Sequence, residues 1–548
     1  MLNRRRFLAS GAAAAAGTAA LATQGATTAE ALRATDAVTV LPSDPRYADL
    51  VVGNNSRWVG RPEAVRLVTT TAQVVRAVQE AVSAGKRISV RGGGHCYADF
   101  VFNPAVQVVI DTSQMTAVSY DEDRKAFSVE AGATLLRVYE SLYKGWGVTI
   151  PGGMCYSVGM GGHISGGGYG MLSRRHGLTV DHLLAIEVVT VDANGRARAV
   201  VATREPGDAN RELWWAHTGG GGGNFGIVTR YWFRTPGSTG SDPAQQLIHP
   251  PREVLVSAVG LPWSSLTPAA HKSLVRKFGA FHARNNAPDS PYAALCSFLM
   301  MNHKSNGSIG LLTQIDAGVP NAERLLQDYL TDLTADLEIQ PLHAPAGELG
   351  PLPEFFTPQR LPWLSSVKLL GTSNPTLTNP TLRGHHKSAY LRQGLTDDQI
   401  AAMYRHLTRE DHHNPASMVV LLSYGGKINS VRSDATASAQ RDSLFKGLFQ
   451  SFWGDPDDDP VNLAWTRDVF RDVFAATGGY PVPSATGQTD GCYINYPDSD
   501  ITDPAQNRSG VPWHTLYYKD NYPRLQRVKA AYDPRNIFRH SQSIGLPT

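Results

Sequence analysis

The sequence predicts an α+β protein, and three observations carry the prediction. From about residue 45 to 235 short β-rich runs alternate with amphipathic helical patterns. A stretch rich in turn-forming residues, Pro-Gly-Ser-Thr-Gly-Ser-Asp-Pro, then breaks the pattern between about 236 and 245. Beyond it amphipathic helices and strands interleave again, as expected of one sheet covered by a helical layer. The 548 residues are enough for two or three domains, each with its own core.

The elements follow in order. Thr71 to Ala84 places Val74, Val75, Val78, Ala81 and Val82 on one helical face, and Gly85 stops the helix. Ile88-Ser-Val-Arg91 reads as a strand entering Gly92-Gly93-Gly94-His95, and Val106–Ile110 as another. A helix over Leu135–Tyr143 precedes a strand, Val148-Thr-Ile-Pro151, that enters a second glycine run. Residues 183–202 read as a hairpin, since two Val-rich strands flank Asp192-Ala-Asn-Gly195. In the second half helices are expected over 268–285, 320–336, 397–408 and 462–476, with strands such as Ala293–Met301, Ile309–Ile315 and Met418–Tyr424. The tail reads as a strand, Cys492–Tyr496, and a helix, Tyr522–Tyr532, ending at Asp533-Pro534. Asp457-Asp458-Asp459 between prolines reads as a solvated loop rather than a metal site.

With 42% hydrophobic and 18% charged residues, the composition excludes a disordered chain, a collagen and a disulfide scaffold. The net charge is +3, of which Arg4, Arg5, Arg6 and Glu30 supply +2. The remainder gives no electrostatic case for nucleic acid or an anionic membrane as partner. Paired arginines before Phe7-Leu8, an Ala-rich run to Ala22, and Ala29 and Ala31 as a small-residue cleavage site read as a twin-arginine signal over residues 1–31, hence secretion. The alternative for this segment is a basic anchor. Export of a folded protein hints at a cofactor already inserted.

Nineteen of the 52 glycines fall in residues 92–94, 152–177 and 219–226. Such density permits positive φ and close approach of backbone N–H groups to a ligand, so these runs are the expected cofactor walls. Gly221-Gly-Gly-Asn224-Phe-Gly226 fits the G-x-G-x-x-G spacing but precedes a strand-like run instead of a helix, which excludes a nicotinamide Rossmann domain. His95 is presented at a loop, and Cys155 sits among backbone N–H donors that would favour its thiolate. Packing, or a zinc site from His95, Cys96, Cys155 and His163, is the alternative, although the paired C-x-x-C spacing of structural zinc is missing. On the residues alone, a flavin or another anionic cofactor in the glycine runs stays one open reading among these.

Arg91-Gly-Gly-Gly-His95, Gly152-Gly-Met-Cys155-Tyr-Ser-Val-Gly-Met-Gly-Gly-His163-Ile-Ser-Gly-Gly-Gly-Tyr-Gly170, Gly219 to Gly226, Tyr517-Tyr-Lys-Asp-Asn-Tyr522 and Asp533-Pro-Arg-Asn-Ile-Phe-Arg539 together resemble the berberine-bridge-enzyme-like FAD oxidases, flavoproteins of the vanillyl-alcohol-oxidase type. The likeness is greatest to their bacterial sugar-oxidising members. It implies a two-subdomain FAD-binding domain of that type, formed by 45–240 and 476–548, and an α+β substrate domain over 241–475 with an antiparallel sheet covered by helices.

The resemblance also implies roles. His95 would bond the flavin 8α-methyl carbon and Cys155 its C6, so that FAD is held bicovalently, with a raised redox potential in an open site. Arg91, Gly92, Gly93, Gly94, Gly159, Gly161, Gly162, His163, Gly166, Gly167, Gly168, Asn224, Gly226, Tyr493 and Asn495 would line it. Tyr496 matches the tyrosine that takes the substrate's proton, Tyr424 a second active-site tyrosine, and Tyr169 a third phenol. A free phenol titrates near pH 10, so a phenolate needs a positive neighbour, and Lys427 is the candidate. If Cys492–Tyr496 is a strand, Tyr493 and Tyr496 point to opposite faces. Val158 stands where valine goes with oxygen access in plant relatives, implying reoxidation by O2 to hydrogen peroxide. The expected substrate is a sugar or glycoside hydroxyl acted on by a monomer. A tailoring oxidase of a polyketide alcohol and a carbohydrate-binding flavoprotein without turnover are the alternatives.

Overall fold

The computed structural model describes residues 36–484 and 487–547. The segment read as an export signal lies outside the described residues. Three sheets follow one another along the chain. The first contains β1 (Val38–Val40), β2 (Ala64–Leu67), β3 (Ile88–Arg91) and β4 (Val108–Asp111) in the order β1-β2-β4-β3. Its β2–β4 and β3–β4 pairs are parallel, and α1 (Thr71–Ser83) supplies the crossover from β2 to β3. Thr70 accepts a hydrogen bond from the Gln73 N–H and so fixes where α1 begins, while Val74, Ala77, Val78 and Ala81 bury its apolar face.

The second sheet takes β5 (Val118–Asp121), β6 (Ala126–Glu130), β7 (Leu183–Val191), β8 (Ala197–Thr203) and β9 (Ile227–Phe233) in the order β5-β6-β9-β7-β8. The β7–β8 hairpin turns through the Asp192–Gly195 segment anticipated for it. The third glycine run leads into β9, not into a helix.

The third sheet is antiparallel: β10 (Glu253–Pro262), β11 (Leu295–Asn302), β12 (Ser308–Asp316), β13 (Gln340–Pro341), β14 (Gln359–Pro362), β15 (Arg383–Leu391), β16 (Ser417–Ser423) and β17 (Phe445–Trp453). Its path runs β13-β10-β12-β11-β16-β17-β15, with β14 beside β10. Helices α4 (Pro268–Arg284), α5 (Ala322–Thr334), α6 (Asp397–Thr408) and α7 (Asp459–Val473) pack on it and on one another, after α2 (Leu135–Trp146) and α3 (Met160–Ser165) of the preceding part and before α8 (Tyr522–Tyr532). Every residue of β11, β16 and β17 is buried, so both faces of the sheet's centre are covered. β17 and its neighbour β15 are buried almost throughout yet mix Lys, His, Gln and Ser with their apolar residues, so they carry neither an apolar run nor an alternation for a sequence reading to catch.

Four local expectations are corrected. Val148–Pro151 is not a strand; only Thr149 pairs, in a single bridge with Ile248. Helix α7 begins three residues before the expected 462, because Pro460 in its first turn needs no N–H partner there. Asp459 accordingly leaves the acidic loop, starts α7 and pairs with the Arg383 guanidinium at 2.6 Å, while Asp457 and Asp458 are exposed. Cys492–Tyr496 forms a turn, closed by the Tyr496 N–H on the Tyr493 carbonyl at 2.9 Å.

Candidate active site

Backbone contact between glycines brings the first two runs together. A Cβ on Gly93 would lie 2.3 Å from the Gly159 nitrogen, so neither position tolerates a side chain. Beside this crossing opens a cavity of about 330 Å³. One part of its wall comes from Gly92, Gly93, Gly94, Gly159, Gly161, Gly162, Gly221, Gly222 and Gly223 with Arg539 and His540. Another part is the face of the third sheet that carries Phe298, Met300, Val420, Leu422, Leu448 and Gln450. Their two-residue spacing on β11, β16 and β17 is the strand period.

Of the residues expected at the cofactor, Arg91, His95, Cys155, His163, Gly226, Tyr493 and Asn495 also line this cavity. Gly166, Gly167, Gly168 and Asn224 do not. Gly166 instead makes room for Asn495, whose Oδ1 would stand 2.0 Å from a Cβ there. Asn495 donates to the His163 carbonyl at 3.0 Å and thereby fastens the tyrosine turn to α3. Asn224 donates to the Gly220 carbonyl at 3.0 Å and accepts from the Ile544 N–H at 2.9 Å, holding the third glycine run to the C-terminal segment. Arg91 pairs with Asp111 at 2.6 Å.

His95 has its Nε2 2.9 Å from Ser157 Oγ, and burial, helped by the Arg91 charge, holds its pKa down to about 4. The ring is neutral at pH 7, and the nitrogen that carries no proton has a lone pair available for bonding. Cys155 differs from expectation. Burial, with a smaller contribution from Glu348, pushes its thiol well above the ordinary range, so burial outweighs the backbone N–H donors that would favour a thiolate. All four cysteines are free thiols. His95, Cys96, Cys155 and His163 do not gather into a metal-binding group; His385, Asp498 and Asp500 are the one such group among the described residues. The Lys387 ammonium lies 2.8 Å from Asp498 and 3.0 Å from Asp500, so a cation already neutralises that group.

The walls fit an elongated anionic cofactor. A Cβ on Gly162 would meet nothing within 4 Å, and one on Gly222 only Ser165 Oγ at 3.3 Å, so side chains there would project into open space. Arg539 and His540 stand at the same part of the wall, while His95 and Cys155 bring a ring nitrogen and a thiol to it.

The tyrosines do not have equivalent positions. Tyr169 donates its hydroxyl to the Ser423 carbonyl, and Tyr424 donates to the Gln440 carbonyl at 3.1 Å. A phenol whose proton is so used is held in its neutral form. Tyr424 does not line the cavity; it packs behind Tyr169 at 5.5 Å between ring centres. Tyr496 lines the cavity, and no hydrogen bond among the described residues engages its hydroxyl. Tyr493 and Tyr496 both face the cavity with their rings edge to face at 5.0 Å, because they flank a turn and not a strand.

The lysine beside the tyrosines is not Lys427, which is exposed, but Lys446 of β17. Its Nζ lies 3.6 Å from the Tyr169 ring centre, 4.5 Å from that of Tyr493 and 5.2 Å from that of Tyr496, buried and with no hydrogen-bond partner. Burial lowers its pKa well below the lysine range and raises that of Tyr496 well above the tyrosine range. The sequence reading also passes over Tyr97, which stacks on His386 at 3.7 Å, and Glu348 and Gln450 of the cavity wall. For Lys446 a signal existed: a lysine inside Leu444-Phe-Lys-Gly-Leu-Phe449 must be buried if that run is a central strand.

Two family profiles match the chain: one described as FAD binding domain over residues 62–200, and one described as Berberine and berberine like over 492–545. The chain is 50% identical to the aclacinomycin-N/aclacinomycin-A oxidase of Streptomyces galilaeus, across 92% of this chain and 89% of that one. It is 33% identical to the hexose oxidase of Chondrus crispus, across 91% and 93%. The solved structure of a glycopeptide hexose oxidase complexed with teicoplanin superimposes with a TM-score of 0.86 at 46% identity, across 93% of this chain and 98% of that one.

Proposed function

Since this chain belongs to the berberine-bridge-enzyme-like FAD-linked oxidases, we propose that it oxidises a hydroxyl of a sugar or glycoside to a carbonyl, with Tyr496 as the base. The observation that carries this reading is the meeting of His95, Cys155 and an unengaged Tyr496 hydroxyl on one glycine-walled cavity. FAD, when bound, accepts the hydride of the alcohol carbon and passes two electrons to O2, giving hydrogen peroxide. His95 and Cys155 hold it covalently in this reading. Residues 45–240 and 476–548 form the flavin domain and 241–475 the substrate domain, and residues 1–31 direct export of the folded chain.

The remaining step is a proton transfer within the protein. In a buried site neither a lone phenolate nor a lone ammonium is favoured, yet a proton passed from the tyrosine cluster to Lys446 leaves the net charge unchanged. Such a pair costs far less than either charge alone. The Tyr169 ring under Lys446 adds a cation–π contact of about 2 kcal/mol when desolvated. Tyr496 then takes the substrate O–H proton as the C–H hydride leaves. Tyr169 and Tyr424, with their hydroxyls donated to carbonyls, serve as supports for this pair. Val158 lines the cavity, in keeping with oxygen access there.

A second reading, oxidation of a natural-product alcohol, draws support from the apolar floor of Phe298, Met300, Val420, Leu422 and Leu448, which suits a substrate with a large apolar part. Two experiments test the proposal. Acid precipitation of the holoprotein is expected to keep the yellow colour in the pellet until both His95 and Cys155 are replaced, and colour in the supernatant of the wild type would refute the covalent attachment. A peroxide-release screen over sugars, glycosides and simple polycyclic alcohols decides between the two substrate classes.

A further inference from the structure

Glu348 is the one cavity-lining carboxyl the proton-transfer scheme leaves unused. It sits at the tip of a turn closed by reciprocal hydrogen bonds of 3.0 Å between Ala346 and Leu349. Gly347 takes φ +59° there and packs on Met300, whose sulfur would lie 2.7 Å from a Cβ, so the tip is held against β11. One carboxyl oxygen accepts from Gln450 Nε2 at 3.1 Å and the other from Asn374 Nδ2 at 3.2 Å. Gln450 Oε1 in turn lies 3.2 Å from His386 Nδ1, and the His386 ring stacks on Tyr97, 6.1 Å from Tyr496. The carboxyl is therefore oriented from both sides.

No lysine, arginine or histidine pairs with it among the described residues. A carboxylate offers about four acceptor sites, and two amide donors leave the others facing the cavity. A purely structural carboxyl in such surroundings would be expected to have a cation partner. Burial holds its pKa above the usual carboxylate value, and it shares the cavity wall with Cys155 and Tyr496.

We propose that Glu348 is a specificity-determining residue whose carboxyl accepts a hydrogen bond from a second donor, a hydroxyl or an ammonium, on a hexopyranose whose oxidised hydroxyl faces Tyr496. The assignment rests on the sugar-oxidase reading and deepens it. A substrate with two correctly spaced donors satisfies Tyr496 and Glu348 together, whereas a simple secondary alcohol leaves the carboxyl unfulfilled.

The test uses the holoenzyme with D-glucose, its five monodeoxy analogues (1-, 2-, 3-, 4- and 6-deoxy) and D-glucosamine as probes. Dissociation constants come from the concentration dependence of anaerobic flavin reduction, or from flavin absorbance perturbation where a probe is not oxidised. In the wild type one monodeoxy analogue is expected to bind about 10–100-fold more weakly than glucose. In Glu348→Ala, glucose falls to that level and the same analogue loses nothing further, while the other analogues fall in parallel with glucose. Tighter binding of glucosamine than glucose, reversed in Glu348→Gln, supports the assignment and identifies the donor as the ammonium. Unchanged affinities in both variants, or losses that simply add, overturn the role of Glu348 while hexose oxidation by the wild type stands. A wild type that neither binds nor oxidises any probe overturns the hexose reading itself.

Discussion

The Lys446 Nζ lies 3.6 Å from the centre of the Tyr169 ring, and Lys446 pairs across the strands with Leu422 on one side and Tyr390 on the other. The lysine is thus fixed by sheet register and aimed at the tyrosines by the strand's two-residue period.

If this ammonium compensates the Tyr496 phenolate, Lys446→Met slows anaerobic flavin reduction by about 30-fold, which corresponds to about 2 kcal/mol. It also moves the pH–rate profile. The phenol is already held above its ordinary value, and removing the positive charge raises it further, so the rising limb shifts to higher pH. Stopped-flow reduction across pH reads both effects, and a profile superimposable on the wild type would dismiss the lysine.

Tyr496→Phe lowers the reduction rate by about 10²–10⁴-fold, the usual share of a general base. Tyr424→Phe, whose hydroxyl donates to the Gln440 carbonyl and stands outside the cavity wall, costs less than about tenfold. The order of the two variants in single-turnover reduction is the decisive reading, and the reverse order would transfer the proton-accepting role to Tyr424.

Behind the tyrosine turn, Lys387 reaches Asp498 at 2.8 Å, Asp500 at 3.0 Å and the Tyr480 hydroxyl at 3.1 Å, all of them buried. Replacing Lys387 alone by Met leaves Asp498 buried without a cation, while Asp500 keeps the Arg467 guanidinium at 2.7 Å, and destabilises the fold by about 3–5 kcal/mol. The Lys387→Met/Asp498→Leu pair, which removes a positive and a negative group together, is expected to melt higher than Lys387→Met alone. Thermal unfolding of the three holoproteins tests this ranking.

Acid should loosen the fold through its buried histidines. Burial holds His163 and His217 at about 4, and His386 at about 3. Unfolded, each takes up a proton near pH 6.5; folded, each refuses it until the pH falls to the lower value. The unfolded state therefore binds more protons in that interval, and stability falls as pH drops from about 6.5 toward 4. The Tm is expected to decline steeply over that range, and a flat Tm between pH 7 and 5 would contradict the burial of neutral imidazoles.

Val158→Leu adds one methylene to the cavity wall and is expected to slow reoxidation of the reduced enzyme by O2 about tenfold or more, with the anaerobic reduction rate little changed. Equal reoxidation rates in the two proteins would separate Val158 from oxygen access.

Much of this architecture is legible in the chain itself. Thr70 before an apolar periodic run fixes α1, and the Asp192–Gly195 turn fixes the β7–β8 hairpin, because capping and turn chemistry are local. The glycine runs are legible for the same reason: only glycine lets Gly93 and Gly159 touch backbone to backbone. The turn at Tyr493–Tyr496 is not legible, since its conformation is imposed by Asn495 docking on α3 from 332 residues away.

By itself the sequence showed glycine runs with His95 and Cys155 among them, and the family resemblance pointed to the tyrosines; of the residues so expected, Gly166, Gly167, Gly168, Asn224 and Tyr424 do not line the cavity. Only the tertiary structure decided their charge states and their partners. Burial, a sum over the whole fold, keeps Cys155 a thiol where its neighbouring N–H groups alone would favour a thiolate. Sheet register sets Lys446 over Tyr169 where sequence proximity points to Lys427, and folding places Glu348 within reach of Gln450, 102 residues further on. Electrostatics depends on distances through space, and those distances exist only once the three sheets have closed around the cavity.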